Sequence, residues 1–521
     1  MTDEKDKIIH EFVFSTYVRN NEEYGSDALI VKEILHYPDG TKKRNLATYD
    51  NYQMPYWIVK KQFQNYTDKR EFEPEVHLNK FYSNKSNLYA NIYQKLNGKK
   101  AYGYIKPDDI TISPYVYGID ISPNLLIRND YVEKYGLIQS KALVAKCDME
   151  WDVVHGTDMI ISGVISMGDY IHLAATKEWL KDDTTVNEEN ILKKLNEHLG
   201  TINATINKKE VIYKNVFISE NTEQNYVYEA GTKVINVKVS IVNKASDVVI
   251  ALIGTAHKWQ PDIVTTWNLE ADMSHMLSAL EADNIDPAQV FSDPSIPNKY
   301  KSFQWRKDSP FKTKADGSRT PKAPSEMWHT AIFPGSFYFL CAMATYRALR
   351  AREQQRSSYA LDPVLHDELN LGKLKFNDVP ENVSNLQWHI LMQAKFKLNY
   401  MIYLAFDGIG LDLLDDKNKD LCYTIRGAVG VSEFSKLKSN PKRLSDDNYF
   451  ELLREGKVIG CTSKDMTEEL DEKTPSLNKW VICLASELEY NIGENIIEEY
   501  PLLRGNVSCH SFDVDVTSSF V

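Results

Sequence analysis

KALVAKCDME (141–150) is the stretch on which the reading of this chain turns. It alternates, with Leu143, Ala145, Cys147 and Met149 on one side and Val144, Lys146, Asp148 and Glu150 on the other, as a strand requires. MIISGVISM (159–167) and YIHLAAT (170–176) follow, joined by Gly168-Asp169. Three apolar runs with so short a second connection predict an antiparallel meander. Two carboxylates two residues apart on the first strand project from the same face.

Outward from this meander, a polar stretch near 185–207 predicts helix, and strands are expected near 210–219 and 233–242. ASDVVIALIGTAHKW (245–259) predicts a helix capped by Ser246. DIVTTWN (262–268) predicts a short strand running into a helix, in which Met273, Met276, Leu277 and Leu280 have i, i+3, i+4, i+7 spacing. Toward the N-terminus, ALIVKEILHY (28–37), the turn pair Asp39-Gly40 and YWIVKKQF (56–63) predict an α+β domain with Tyr56 and Trp57 in its core. Toward the C-terminus, 299–322 carries eight Lys or Arg against Asp308 and Asp316. Tyr300, Phe303, Trp305 and Phe311 are interleaved, with Asp316-Gly317 as a candidate hairpin tip. Helical stretches are expected at about 336–356 and 385–416, and 420–510 is mixed.

Composition narrows the class. At ~100–200 residues per domain, two to four domains are expected of a chain of 521 residues that is 43% hydrophobic. The N-terminus, MTDEKDKIIHEF, is too polar for a signal peptide, and no run approaches the ~18 apolar residues of a membrane helix. A soluble, cytoplasmic protein without a membrane partner is expected. Six scattered cysteines with no Cys-x-x-Cys pair argue against a zinc site or a disulfide framework. The net charge of −12 argues weakly against a protein that only coats nucleic acid; it leaves a metal-dependent nuclease open.

Four acids and a tyrosine carry the candidate chemistry. Asp148 and Glu150 share a strand face. Asp272 opens a helix after a strand that ends in Asn268. Tyr403 and Asp407, four apart in NYMIYLAFDGIGLDLL (399–414), share a helix face. Clustered carboxylates repel one another without cations, and hard cations such as Mg²⁺ prefer oxygen ligands. Two such ions can stabilise both the attacking and the leaving oxygen of a phosphodiester displacement. A tyrosine hydroxyl beside the last aspartate would orient the attacking water. Each motif alone is unspecific; Glu270 and Asp283 compete with Asp272 but fit the strand-to-helix setting less well.

The order Asp-x-Glu, Asn-x-x-x-Asp after a strand and Tyr-x-x-x-Asp on a helix resembles the three exonuclease motifs of family B DNA polymerases of the phage type. CDMEW (147–151), PDIVTTWNLEADM (261–273) and YLAFD (403–407) are similar to the first, second and third motifs. The resemblance implies catalytic roles for Asp148, Glu150, Asp272, Tyr403 and Asp407, with Asn268 on the DNA. Asp148, Glu150 and Asp407 would bind a first Mg²⁺ and Asp148 would help with a second, Mn²⁺ being a substitute. Ala271 stands where the family has Phe or Tyr. EEYPLLRGNVSCHSFDVDVTSSFV (498–521) resembles the approach to the first palm motif, with Asp515 as a polymerase metal ligand and Phe520 at the sugar-discriminating position. The basic 299–322 segment looks like the family's β-hairpin, with Lys312, Lys314 and Arg319 on single-stranded DNA.

The resemblance implies a multi-domain α/β fold: an N-terminal domain (1–140), a ribonuclease-H-like exonuclease (141–415) built on a mixed five-stranded sheet with the acids at one edge, a return to the N-terminal domain (416–500) and the start of the palm (501–521). It implies proofreading in DNA replication. Partners would be a 3′ single strand and primer-template DNA, a C-terminal polymerase half supplying fingers, second palm aspartates and thumb, and a sliding clamp with other replication proteins, in a host cytoplasm if the protein is viral. The rival readings are a stand-alone nuclease and a non-catalytic nucleic-acid-binding or scaffold subunit of a split polymerase. Three other features carry less. The basic helix at Tyr346–Arg352 is read first as a solvated face. Gly408-x-Gly410 lacks the strand and the third glycine of a dinucleotide fingerprint. His155 and His275 show no ligand spacing.

Overall fold

A computed structural model describes residues 8–100, 103–181, 183–199, 201–206, 209–220, 227, 232–313, 317–350, 356–372, 374, 376, 383–425 and 440–462. The fold is mixed α/β. Described residues up to Cys461 belong to one compact unit, and Thr462 belongs to a second.

The N-terminal part opens with strands β1 (Ile9–Val18), β2 (Ala28–His36) and β3 (Lys42–Asp50) as an antiparallel sheet. The predicted Asp39-Gly40 turn joins β2 to β3: Gly40 has φ +86° and Asp39 Oδ1 accepts from Thr41 N at 2.8 Å. A second sheet holds β4 (Met54–Val59), β6 (Leu78–Ser83) and β7 (Val116–Tyr117), with β5 (Phe72–Pro74) outside it. Consecutive residues of β4 face opposite ways, so Tyr56 packs with Leu88, Ile92 and Ile110 while Trp57 packs with Leu78, Tyr117 and Val458. Helices α1 (Leu88–Asn97), α2 (Pro107–Thr111) and α3 (Pro123–Tyr135) complete this part.

The central sheet is built from β8 (Val144–Trp151), β9 (Ile160–Met167), β10 (Tyr170–Thr176), β11 (Thr201–Ile206), β12 (Lys209–Ser219), β13 (Thr232–Val242), β14 (Ile263–Thr266) and, later in the chain, β19 (Tyr338–Cys341). Its order is β11-β12-β13-β10-β9-β8-β14-β19. The predicted meander is present, β8, β9 and β10 pairing antiparallel. β13 joins β10, and β14 joins β8 and β19, in parallel. The sheet therefore has eight strands where five were expected. Among the additions, 201–206 is a strand rather than the end of a helix; α5 (Glu188–Leu199) follows the short α4 (Lys177–Leu180) and stops before it. The expected helix over 336–356 also resolves into β19 and α9 (Ala342–Leu349), within the described residues. Phe337, Phe339, Leu340 and Cys341 form a short buried apolar run, and such a run carries no periodicity to separate strand from helix.

Helices cover both faces of the sheet. α6 (Ala245–Trp259) and α7 (Leu269–Ala282) bury Val248, Leu252, Met273 and Met276 against Ala145, Cys147 and Met149. Ser246 is not the cap of α6. Its hydroxyl donates to Asp283 Oδ2 at 2.6 Å, and the cap position is Lys244, whose N–H donates to Asp247 Oδ2 at 3.1 Å. After α8 (Pro287–Phe291) come β15 (Gln304–Arg306), β16 (Phe311–Thr313), β17 (Arg319–Pro321) and β18 (Thr330–Ile332), and then α10 (Leu361–Leu369). The helical stretch expected over 385–416 breaks at Phe396 into α11 (Asn385–Lys395) and α12 (Lys397–Asn418). α12 covers the other face, packing Met401, Leu404 and Ala405 with Val164, Ile171 and Leu173.

Gly408 and Gly410 lie inside α12. A Cβ at Gly408 would stand 3.1 Å from Ser166 Oγ, so that glycine lets α12 lie close on β9. Beyond α12 the chain meets the N-terminal part: α13 (Asn440–Arg454) packs Tyr449 and Phe450 with Met54, Ile121 and Leu125, and β20 (Lys457–Ile459) pairs with β5. Among the described residues no helix is long and apolar enough to cross a membrane.

Candidate metal centre

α12 runs back along β8, and the two elements match in pitch. A step of two residues on a strand covers ~6.6 Å, and four to five residues of helix cover ~6–7.5 Å. Lys146 meets Asp412 (2.6 Å) and Asp415 (3.7 Å). One step on, Asp148 stands beside Asp407. Glu150, one strand step further, accepts from the hydroxyl of Tyr400, two helical turns before Asp407, so the match in pitch covers the first step and not this one. Carboxylate oxygens of Asp148, Glu150 and Asp407 all lie within 4.8 Å of one another. Asp407 is buried and the other two are half-buried. Three anionic groups so close repel one another, and an all-oxygen set suits a hard divalent cation; this triad could hold a metal ion.

Tyr403 is buried one turn before Asp407. Burial, then the charges of Asp407, Glu150 and Asp148, raise its pKa, so the hydroxyl keeps its proton as a donor beside the acids. Tyr400 lies one turn earlier, its ring stacked at 7° on that of Tyr403 with centroids 5.8 Å apart. Its hydroxyl is held protonated by burial and then by Glu150.

Asp272 stands apart from the triad. It comes from the first turn of α7, and its Oδ1 accepts from Met149 N at 3.2 Å, between the two acids of β8. Burial pushes its carboxyl up to about 7, against the lowering effect of hydrogen bonds that include the one from Met149 N–H. Asn268 is the cap residue of α7, makes no side-chain capping bond, and accepts from Asp272 N through its carbonyl at 3.3 Å. Past Glu150, the Trp151 ring stacks on His275 of α7 at 3.9 Å, and His275 Nδ1 lies 2.9 Å from Asp158 O. His155 is exposed and pairs with Asp152.

The basic segment folds partly as expected. β16 and β17 pair antiparallel around Gly317 (φ +78°). Lys312 and Arg319 are exposed on this hairpin, and Lys314 and Asp316 lie outside the described residues. Lys312 meets Glu326 at 3.3 Å, and Lys307 at the hairpin base meets Glu270 of α7 at 3.4 Å. The interleaved aromatics mostly turn inward. Tyr300 is buried, and Phe303 and Trp305 pack against the core, because β15 pairs with β18 and turns them inward. Phe311 is the one of the four that is exposed, at 44%.

The basic helix is not a freely solvated face. Arg347 binds Glu326 at 2.9 Å and Arg350 binds Asp420 at 2.8 Å, with Arg352 outside the described residues. Asp515, Asp513 and Phe520 also lie outside the described residues, as does the whole 501–521 segment.

Sequence reasoning missed Tyr400, Gln393 and His389 around Glu150, and the Lys146–Asp412 pair. Tyr400 was findable, since it sits one turn before Tyr403 on the same helix. Gln393 and His389 were not, because the break at Phe396 that folds α11 back on α12 carries no Pro or Gly. A comparison of the chain with known protein families finds no match, and neither does one with curated proteins.

Proposed function

We propose that this chain is the 3′→5′ proofreading exonuclease portion of a family B DNA polymerase, acting in DNA replication. The observation that carries the reading is the meeting of Asp148, Glu150 and Asp407 from β8 and α12 within 4.8 Å, with the Tyr403 hydroxyl among them. These residues are distant in sequence and were singled out by one motif order. Five contiguous strands, β10-β9-β8-β14-β19, with β9 alone antiparallel, support reading the core as ribonuclease-H-like.

In this reading a frayed 3′ end enters over the ends of β8 and α12. Two Mg²⁺ ions, when bound, would neutralise the scissile phosphate and activate water. Asp148, Glu150 and Asp407 would hold the first ion, and Asp148 would contribute to the second. Tyr403 donates a hydrogen bond that orients the attacking water. Asp272 completes the acidic set from α7 while steadying β8 through Met149 N–H. Asn268, Lys312 and Arg319 contact the strand.

The test is degradation of a 3′-protruding, 5′-labelled DNA strand by the full chain in Mg²⁺, in EDTA, and by an Asp148→Ala/Glu150→Ala double variant. A Mg²⁺-dependent ladder of single-nucleotide steps, lost in the variant, is expected. A folded chain that leaves the strand intact in Mg²⁺ would overturn it.

A further inference from the structure

Glu150 sits where its strand gives least direction to its side chain. The β8–β9 ladder runs Glu150↔Ser162 and then Trp151↔Ile160, so the pairing skips Ile161 at this point. Such a bulge re-aims the neighbouring side chains. Glutamate also has one more rotatable bond than Asp148 and Asp407, and its ordering costs correspondingly more. Something beyond the strand has to point its carboxylate at the other two.

A closed set of hydrogen bonds does this. Gln393 Oε1 accepts from Val153 N at 3.1 Å and its Nε2 donates to Trp151 O at 2.8 Å, which fixes the orientation of the amide. The same Nε2 donates to the Tyr400 hydroxyl oxygen at 3.1 Å. His389 Nδ1 lies 2.8 Å from that oxygen. A phenol hydroxyl has two acceptor positions and one proton. The Tyr400 proton goes to Glu150 Oε2; with Gln393 at one acceptor position, the hydrogen-bond pattern assigns the proton of the neutral His389 ring to Nδ1, which fills the other. The indole of Trp179 donates to Gln393 O at 3.0 Å and tethers the end of α11.

We propose that Tyr400, oriented by Gln393 and His389, is the positioning residue that holds Glu150 as a metal ligand, and that the two stacked tyrosines divide the work: Tyr400 sets the metal site, and Tyr403 acts on the attacking water. The proposal rests on the metal-site reading above. Groups that orient ligands in this way are worth about 10–100-fold in metal affinity.

The experiment is Mn²⁺ titration of the full chain, with free Mn²⁺ followed by its electron paramagnetic resonance signal. Thermal unfolding in EDTA serves as the fold control. Tyr400→Phe keeps the ring against Trp179, Trp388 and Tyr403 and removes only the hydroxyl. Its Kd for Mn²⁺ should rise about 10–100-fold with unfolding near wild type. Tyr403→Phe should lose DNA cleavage with Kd within about threefold of wild type, well below the change expected from losing a ligand-orienting group. His389→Ala removes a half-buried ring that packs edge-on against Tyr400 and Tyr403; with its unfolding checked in EDTA as well, it should weaken Mn²⁺ severalfold, testing the network even if Tyr400→Phe misfolds. Wild-type Mn²⁺ affinity in Tyr400→Phe or, if that variant misfolds, in His389→Ala would overturn the inference and leave the metal site standing. A wild-type chain that binds no Mn²⁺ would overturn both.

Discussion

Lys146 Nζ lies 2.6 Å from Asp412 Oδ1, one strand step behind Asp148, with both side chains largely removed from solvent. Burial alone would lower the lysine's pKa, but Asp412 and Asp415 outweigh it and the net shift is upward, so the ammonium stays charged. Ser166 Oγ donates to the other oxygen of Asp412 at 2.9 Å. The pair pins α12 to β8 and β9 at one point and so sets where Asp407 falls relative to Asp148. Removing one partner of a buried pair strands the other charge. Lys146→Met should therefore destabilise the chain by about 3–5 kcal/mol, measured by urea unfolding. Adding Asp412→Asn should recover part of that loss. A single variant within about 1 kcal/mol of wild type, the range of a surface pair, would show that the pair is not a clamp.

The acidic triad makes the opposite prediction. With no cation bound, Asp148, Glu150 and Asp407 repel one another, so Asp407→Asn should unfold no lower than wild type in EDTA. In excess Mg²⁺ the order should reverse. A ligand at a hundred times its Kd stabilises the form that binds it by about 2.7 kcal/mol, and the variant loses that gain. Melting both proteins with and without Mg²⁺ reads the effect directly. Equal Mg²⁺ responses would remove Asp407 from the ligand set.

The sequence made this centre legible because its parts are local. Asp148 and Glu150 share a face through a strand's period of two, and Tyr403 and Asp407 through a helix's i, i+4 spacing; both relations follow from the local backbone once the element type is right. What lay beyond local pattern was how the pieces meet. The 338–341 run is equally apolar as strand or helix, and only its parallel pairing with β14 decides between them. Phe303 and Trp305 look like stacking surface until β15 pairs with β18. Asp272 is placed by a backbone N–H of another element, which no spacing within its own motif encodes.

His172 gives the fold a defined acid limit. It is buried on β10, with Nδ1 2.7 Å from Thr255 Oγ1 of α6 and Nε2 2.8 Å from Ser240 Oγ of β13. Burial first, and then Lys238 and Lys258, push its pKa down to about 3. A depressed pKa means that the stabilisation is present in full above the unfolded value near 6.5 and is lost as pH falls toward the folded value. At about 1.4 kcal/mol per unit, that loss approaches about 4 kcal/mol by pH 3. His172→Gln can still donate and accept hydrogen bonds but has no proton to gain. Its urea midpoint should fall less than that of wild type between pH 7 and pH 4, as the missing titration predicts. Parallel curves would mean that His172 does not titrate differently on folding.

The hairpin 311–321 supplies the most direct test of DNA contact. Each lysine or arginine that neutralises a phosphate of a single strand contributes ~0.7 to the slope of log K against log salt. Lys312 already has Glu326 at 3.3 Å, and that carboxylate is shared with Arg347. Lys312 therefore has part of its charge compensated before DNA arrives, whereas Arg319 stands exposed on the partner strand of the hairpin. Arg319→Gln should consequently weaken binding of a single-stranded oligonucleotide more than Lys312→Gln does. The triple change of Lys312, Lys314 and Arg319 to Gln should flatten the salt dependence by ~1–2 in slope. Fluorescence anisotropy across a salt series would measure both. A triple variant with wild-type affinity and slope would take the hairpin off the path of the strand and leave its charges to the contacts with Glu326 and Glu270.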